Sequence, residues 1–264
     1  MAEIYFPGKT ISEQESQLWT PESYLRVPST ERKNGFYIKG KVVESAPINP
    51  LYWTDQHSPY NFFEFEASSV QEELGYKSDQ LRQDACGITS LHIVLGSLSG
   101  TYQRYCPTVG MLAKKALSFH RNDLKDGENV VKKGNPVFNL KVGWYHNALI
   151  YVAGKFGVDG HRFQDATLEE VSDEMERLND GGKRALAIVS VKDCYRNAKI
   201  WRGVSHLVVV NGAKLNRKGE VVELKVTDPS SRASVGEPIE KWVRVDREQR
   251  NNFLGKAIFL YTNK

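Results

Sequence analysis

A cysteine lies at the predicted start of a helix, in the segment Asp84-Ala85-Cys86-Gly87. The apolar residues that follow recur every three or four positions, which predicts one buried helix face: Ile88, Leu91, Leu95 and Leu98. Asp84 is a favourable N-cap, so Cys86 falls in the first turn, where the positive end of the helix dipole favours the nucleophilic thiolate. The glycine after the cysteine lets the backbone approach a ligand closely. This pattern fits a reactive nucleophile, and it also fits an inert packing cysteine.

A nucleophilic cysteine needs a base, usually a histidine, and that base needs an orienting carboxylate or amide. His206 begins a valine-rich strand, and Asp228 directly follows the next predicted strand, Val221–Thr227. The loop between them, Asn216–Gly219, has the late glycine typical of hairpins. With the turn centred near Arg217, we expect the two side chains to face each other across the ladder, their Cβ atoms about 5 Å apart. The alternative is a surface histidine and an aspartate that opens an Asp-Pro-Ser turn.

The chain has two regions that differ in amino-acid composition. Residues 1–75 hold most of the prolines and two strand-like runs, Phe36–Val43 and Phe62–Glu66. We interpret residues 1–75 as a β-rich N-terminal extension. Residues 76–264 are then the main domain, which carries all the candidate residues.

In the main domain, helices are predicted first and strands afterwards, which is an α+β order. After the helix at Cys86, further helices are predicted over Pro107–Phe119 and Gly143–Phe156. A capping-box pattern at Thr167 opens another, which Gly181-Gly182 ends. The predicted strands then follow in series: Ala185–Val191, His206–Gly212, Val221–Thr227, Trp242–Val245 and Ala257–Tyr261.

The composition argues against several classes of protein. The chain has 264 residues, 40% of them hydrophobic and 26% charged, as in ordinary soluble globular proteins. Three cysteines without a C-x-x-C pair argue against a disulfide framework and a zinc site. A net charge of +4, without basic clusters interleaved with aromatics, argues against nucleic-acid binding. Neither a signal peptide nor a membrane span is evident, so we predict a cytoplasmic protein with no membrane partner. Metal, nucleotide and flavin motifs are also missing, so we predict no cofactor.

The order of the motifs resembles the papain-like cysteine peptidases, in particular the bacteriocin-processing branch, peptidase family 39, and its stand-alone relatives. Those proteins have a Gln six residues before a Cys-Gly pair, a His that opens a valine-rich strand with a glycine soon after, and an Asp-Pro. Here these elements are Gln80, Cys86-Gly87, His206–Gly212 and Asp228-Pro229. The resemblance covers about residues 76–264. It implies a papain-like α+β fold in which an N-terminal helical part carries the Cys and an antiparallel sheet carries the His and Asp.

The resemblance also implies a role for each residue of the site. Cys86 would attack a carbonyl, His206 would take and return the proton, and Asp228 would orient His206. Gln80 would donate to the oxyanion together with the Cys86 backbone N–H, and Gln83 is the rival for that role. The chain departs from the pattern at residues 88–90, where Ile-Thr-Ser replaces the Pro or Val followed by small residues that relatives often carry.

The implied activity is a cysteine peptidase with a peptide or protein substrate and an oligomeric state left open. One alternative is a different acyl-transfer enzyme on the same scaffold, such as a cell-wall peptide amidase or a transferase. The other is a catalytically idle peptide-binding module. Among the other histidines, we interpret His92 as structural and His146 as a capping residue or a side chain lining a substrate cleft.

Overall fold

The computed structural model describes residues 40–52, 84–105, 108–118, 137–139, 143–192, 205–230 and 240–263. The chain divides into two compact units, Met1–Ile38 and Lys39–Lys264, and all the described residues belong to the second. The predicted strand Phe62–Glu66 and the first part of the predicted strand Phe36–Val43 lie outside the described residues.

Within the described part of the chain there are six α-helices: α1 (Cys86–Leu98), α2 (Gly100–Tyr105), α3 (Val109–Leu117), α4 (His146–Gly154), α5 (Leu168–Asp180) and α6 (Arg247–Asn252). Helix α5 begins with the predicted capping box. The Thr167 hydroxyl accepts from the Glu170 backbone N–H at 3.1 Å, and the Glu170 carboxylate accepts from the Thr167 N–H at 2.7 Å. These two bonds satisfy backbone donors that a helix start otherwise leaves unpaired.

The described strands are β1 (Lys41–Glu44), β2 (Phe138–Asn139), β3 (Gly143–Trp144), β4 (Asp159–Phe163), β5 (Lys183–Lys192), β6 (Ser205–Leu215), β7 (Val221–Thr227), β8 (Glu240–Arg244) and β9 (Phe253–Asn263). Seven of them form one sheet in the order β4-β9-β5-β6-β7-β8, with β1 paired to β6, and β2 pairs with β3. All these described pairs are antiparallel. The predicted α+β class is confirmed, with Cys86 on α1, His206 on β6 and Asp228 directly after β7.

The large sheet is covered by apolar side chains on both faces, because its central strands alternate between two cores. Leu207 and Val209 of β6 pack in one core with helices α1, α3 and α4. Val208 and Val210 pack in the other core with helix α5. The sheet is therefore the middle layer of the fold, and α1 lies on one side of it.

Helix α1 is buried along nearly its whole length, from Gly87 to Leu98. The sequence predicted one buried face; the helix is buried all round because it lies between the sheet and helices α3 and α4. The predicted N-cap at Asp84 is wrong. The N-cap is Ala85, which offers no capping side chain, and Asp84 is half-buried, with the pKa of its carboxyl raised by burial.

The segment predicted as one helix over Gly143–Phe156 is a short strand followed by a helix. Gly143 has φ +82°, in the left-handed region that glycine adopts without strain, and it begins β3. Tyr145 has an extended backbone and is the N-cap of α4, which ends at Gly154. The positive φ and the extended cap break the helical pattern that the apolar spacing suggested.

Strand β1 comes from the segment interpreted as an N-terminal extension. It pairs with the end of β6, from Lys41 opposite Leu215 to Glu44 opposite Gly212. The boundary predicted at residue 75 lies outside the described residues, so the division into residues 1–75 and 76–264 stays a prediction.

Candidate active site

Cys86 is half-buried at the first residue of α1. The residue after it is packed so closely that it has no room for a side chain. A Cβ on Gly87 would lie 2.8 Å from the Trp144 Cβ and 3.0 Å from the Leu207 Cδ1. Because Leu207 directly follows His206, this contact brings the start of α1 against the start of β6.

His206 and Asp228 form a hydrogen-bonded pair at the end of the β6–β7 hairpin. The His206 Nε2 and the Asp228 Oδ1 are 2.8 Å apart, and both residues are buried, with 9% and 4% of their surfaces exposed. A buried ionisable pair of this kind needs good geometry to offset the loss of hydration. Because both residues are buried, the pair is shielded from solvent, and the alternative of a surface histidine does not apply.

The hairpin register differs from the one predicted. The loop closes between Asn216 and Glu220, so it is centred on Lys218 instead of Arg217. The last described pair of the ladder joins Val209 to Thr227. The predicted direct opposition of positions 206 and 228 is therefore wrong by two residues. A register shift of two residues leaves the side chains of His206 and Asp228 on the same face of the sheet, as diagonal neighbours. Their hydrogen bond forms between these diagonal positions.

Ser230 is a third member of this cluster that sequence reasoning missed. Its backbone N–H and its hydroxyl both donate to the Asp228 Oδ1, at 2.8 and 2.7 Å. The sequence signal was the Asp-Pro-Ser pattern, in which aspartate commonly accepts from the backbone two residues later. That pattern indicated a turn, and the turn is also what holds the carboxylate.

The charge state of the pair follows from opposing effects. Burial by itself lowers the pKa of His206, but hydrogen bonds with Asp228 and Cys86 raise it to about 10. Burial by itself raises the pKa of Asp228, yet the hydrogen bonds from His206 and Ser230 hold it well below its usual range. At neutral pH the cluster therefore contains an imidazolium and a carboxylate. Since Nε2 is bound to Asp228, Nδ1 is the ring nitrogen that remains for Cys86.

A hydrogen bond also joins helix α1 to strand β6. The Ser90 hydroxyl, one turn after Cys86, donates to the Leu207 carbonyl at 3.1 Å. Both groups are buried, so the bond is shielded from competing water. It fixes the distance between the elements that carry the thiol and the imidazole.

The oxyanion candidates Gln80 and Gln83 lie outside the described residues, as do Cys106 and Cys194. The structure brings together Cys86, His206 and Asp228, and the role of either glutamine stays a prediction.

The described histidines outside this cluster have other partners. His92 is buried in α1 with its Nδ1 2.5 Å from the Tyr102 Oη, and burial lowers its pKa to about 3. The His146 Nε2 lies 3.2 Å from the Ser190 Oγ, and burial, with Lys256 and Arg162 nearby, lowers its pKa to about 4. Both imidazoles are therefore neutral at pH 7. His92 is buried and hydrogen-bonded to Tyr102, in agreement with the structural role inferred from the sequence.

Replacing Gly87 with alanine is expected to destabilise the fold. In a helix the change would ordinarily gain up to about 1 kcal/mol, but here the new methyl meets the fixed Cβ of Trp144. We expect the free energy of unfolding to fall by about 1–3 kcal/mol in chemical denaturation. Gly154→Ala is the matched control, because that glycine ends α4 and a methyl added there would meet no atom within 4 Å from outside its own helix. Equal effects of the two substitutions would contradict the close packing beside Cys86.

Among the described residues, no cluster of three or more His, Cys, Asp or Glu side chains could hold a metal ion. In the same part of the chain, no helix is long and apolar enough to cross a membrane.

No protein-family model and no curated protein matches the chain. Among solved structures, the chain is similar to a double-glycine-motif protease from an AMS/PCAT transporter, solved with its leader peptide. Their identity is 16% over 67% of this chain and 84% of that chain, with a TM-score of 0.33. It is also similar to the peptidase domain of Streptococcus ComA, a bifunctional ABC transporter of a quorum-sensing pathway, at 17% identity over 69% of this chain and 93% of that chain, with a TM-score of 0.34. A third similar structure is UfSP from C. elegans, at 9% identity over 87% of this chain and 35% of that chain, with a TM-score of 0.40.

Proposed function

We propose that the chain is a cysteine peptidase that hydrolyses peptide bonds through Cys86, His206 and Asp228, with Gln80 as an oxyanion donor. The observation that carries the proposal is the arrangement around one imidazole. His206 is hydrogen-bonded to Asp228 through Nε2, and Cys86 lies near enough to the same ring to raise its pKa. The order of motifs along the sequence, which resembles the papain-like peptidases, supports the same assignment.

The geometry supports a two-step acyl transfer. In the first step, the Cys86 thiolate attacks the carbonyl carbon of the scissile bond, and His206 gives its proton to the leaving amine as the C–N bond breaks. In the second step, His206 takes a proton from the water that attacks the thioester, and breaking the C–S bond releases the acid and regenerates the Cys86 thiolate beside protonated His206. Asp228 keeps the ring oriented and stabilises the imidazolium in both steps.

The start of α1 supplies a donor for the oxyanion. The backbone N–H groups in the first turn of a helix have no partner within the helix, and Cys86 is the first residue of α1. Its N–H can therefore donate to the oxygen that becomes negative during attack. Gln80 is proposed as the second donor because its spacing from the Cys-Gly pair matches the family pattern.

The Cys86 thiol is expected to be the most reactive cysteine of the chain. The His206 ring beside it is the kind of neighbour that makes a cysteine reactive toward electrophiles. Iodoacetamide at mildly acidic pH should therefore modify Cys86 before Cys106 and Cys194, as read by mass spectrometry of peptides from the folded protein. His206→Ala should slow this labelling. Equal labelling of all three cysteines in the wild-type protein would remove the basis for a nucleophilic role.

Peptide hydrolysis itself can be tested without knowing the substrate. The wild-type protein and Cys86→Ser are incubated with a mixed peptide library, and new termini are identified by mass spectrometry. Cleavage by the wild-type protein alone supports a peptidase. Products in which the acyl group is joined to another amine would instead assign a transferase. Reactive labelling of Cys86 with no product of either kind in the library would contradict the peptidase proposal and favour a narrow amidase.

A further inference from the structure

Ser230 reaches the His206–Asp228 pair with both its backbone N–H and its hydroxyl. Its side chain is buried, with 5% of the residue's surface exposed. Its hydroxyl is 2.7 Å from the Asp228 Oδ1 and 3.5 Å from the His206 Nε2. Its backbone N–H donates to the same Oδ1 at 2.8 Å.

One oxygen atom of Asp228 therefore receives three donors: the His206 ring, the Ser230 N–H and the Ser230 hydroxyl. A carboxylate attached to a strand end can rotate about its side-chain bonds, and a single hydrogen bond to a ring leaves that rotation possible. Two further donors, both from Ser230, restrict it. The proline between Asp228 and Ser230 fixes a backbone angle, which keeps the turn that presents both donors.

The hydroxyl acts on the carboxylate and not on the reacting atoms. At 3.5 Å it is too far from the His206 Nε2 for a strong hydrogen bond, and its single proton is directed to Asp228. Among the described residues, the titratable groups that act on His206 are Asp228 and Cys86. Ser230 can therefore influence the base only through the position of the Asp228 carboxylate.

We propose that Ser230 is a positioning residue whose hydroxyl aims the Asp228 carboxylate at His206. This proposal rests on the proposed function, because it assigns Ser230 a part in preparing the same imidazole. Without the hydroxyl, the Asp228 carboxylate samples orientations that no longer face the ring, and His206 holds its proton less tightly.

The test measures the rate at which iodoacetamide alkylates Cys86 as a function of pH, which requires no substrate. The variants are Ser230→Ala, which removes the hydroxyl, and Ser230→Thr, which keeps it. Ser97→Ala is the matched control: Ser97 is also 5% exposed, and its hydroxyl donates to the Ile93 carbonyl at 2.7 Å near the far end of α1. Thermal unfolding of each variant measures the purely structural cost.

In the wild-type protein, we expect the rate profile to have an inflection at alkaline pH, where His206 loses its proton. We expect Ser230→Ala to move that inflection to lower pH by about one unit, because a hydrogen bond to a charged group contributes on that scale. Ser230→Thr should restore the wild-type position, and Ser97→Ala should leave it unchanged while losing comparable thermal stability. On a peptide substrate, Ser230→Ala should lower kcat roughly tenfold.

An inflection that stays in place or moves to higher pH in Ser230→Ala would overturn the positioning role. A move to higher pH would mean that the Asp228 carboxylate, once free of the Ser230 hydroxyl, binds the His206 ring more strongly. In that case Ser230 would only make the carboxylate a weaker hydrogen-bond acceptor. If Ser230→Thr is too unstable to study, the comparison of Ser230→Ala with Ser97→Ala decides the matter. Failure of the proposed function gives a different result, because Cys86 of the wild-type protein would then be alkylated no faster than Cys106 and Cys194.

Discussion

His206→Ala should lower turnover by on the order of 10⁴-fold or more, the largest effect expected of any substitution apart from loss of the thiol. The imidazole is the proposed base for the thiol and the proposed acid for the leaving amine, so both chemical steps lose their proton carrier. Measurement of kcat and KM on a peptide found in the library screen tests this directly. A matched control is His161→Ala, because His161 also pairs with a carboxylate, Glu174, at 2.8 Å.

Substitution of Asp228 tests whether His206 and Asp228 act together in catalysis or act independently. Asp228→Ala should cost less than His206→Ala, since the ring remains present but is poorly oriented. The double substitution should cost about as much as His206→Ala alone, because groups that act as a unit are strongly non-additive. Fully additive losses in the double variant, or a loss in His161→Ala equal to that in His206→Ala, would contradict a catalytic pair.

Gln80→Ala should lower turnover by roughly 10²–10³-fold while leaving the alkylation of Cys86 nearly unchanged. The side-chain amide is proposed to donate to an oxygen that is negative only during acyl transfer, whereas alkylation forms no such oxyanion. Gln80→Glu is an informative second variant, because it preserves shape but replaces the donor with a carboxylate. It should be at least as impaired as Gln80→Ala.

The competing residue is tested in the same assay. Gln83 lies three residues before Cys86, and Gln83→Ala should have a small effect if Gln80 is the donor. A larger loss in Gln83→Ala, again with normal alkylation of Cys86, would transfer the oxyanion role to Gln83. A loss of alkylation in either variant would indicate that the substitution has disturbed the start of α1.

The sequence predicted well the features that depend on local periodicity. The apolar spacing after Cys86 predicted α1, and the alternating or continuous apolar runs predicted strands β5 to β9, with β7 at the predicted bounds. The capping box at Thr167 also formed as predicted. These signals are strong because each is contained within a few consecutive residues.

The sequence predicted less well the features that depend on a single backbone angle or on distant packing. Gly143 adopts a positive φ, which only its surroundings in the fold determine, and so a predicted helix became a strand and a shorter helix. The hairpin turn is centred one residue later than predicted, which shifts the register by two. Asp84 is not the cap because Ala85 is the last residue before α1 begins at Cys86.

The site showed the same division. The types and order of Cys86, His206 and Asp228 made them candidates from the sequence, and the diagonal geometry of the hairpin still joins the last two. Ser230 was not identified, because a serine after Asp-Pro has an ordinary explanation as a turn residue. Only the positions of its hydroxyl and N–H around one oxygen distinguish it.

The bond between the Ser90 hydroxyl and the Leu207 carbonyl has a consequence for the timing of synthesis. Leu207 follows Ser90 by 117 residues, so the ribosome needs roughly ten seconds to make the intervening chain at ordinary elongation rates. During that interval the nascent chain carries the thiol but not the imidazole that would activate it. A contact of such long sequence separation also forms late, after the entropy of closing the loop has been overcome. On the proposed function, the chain therefore gains its activity only after its own C-terminal strands have folded.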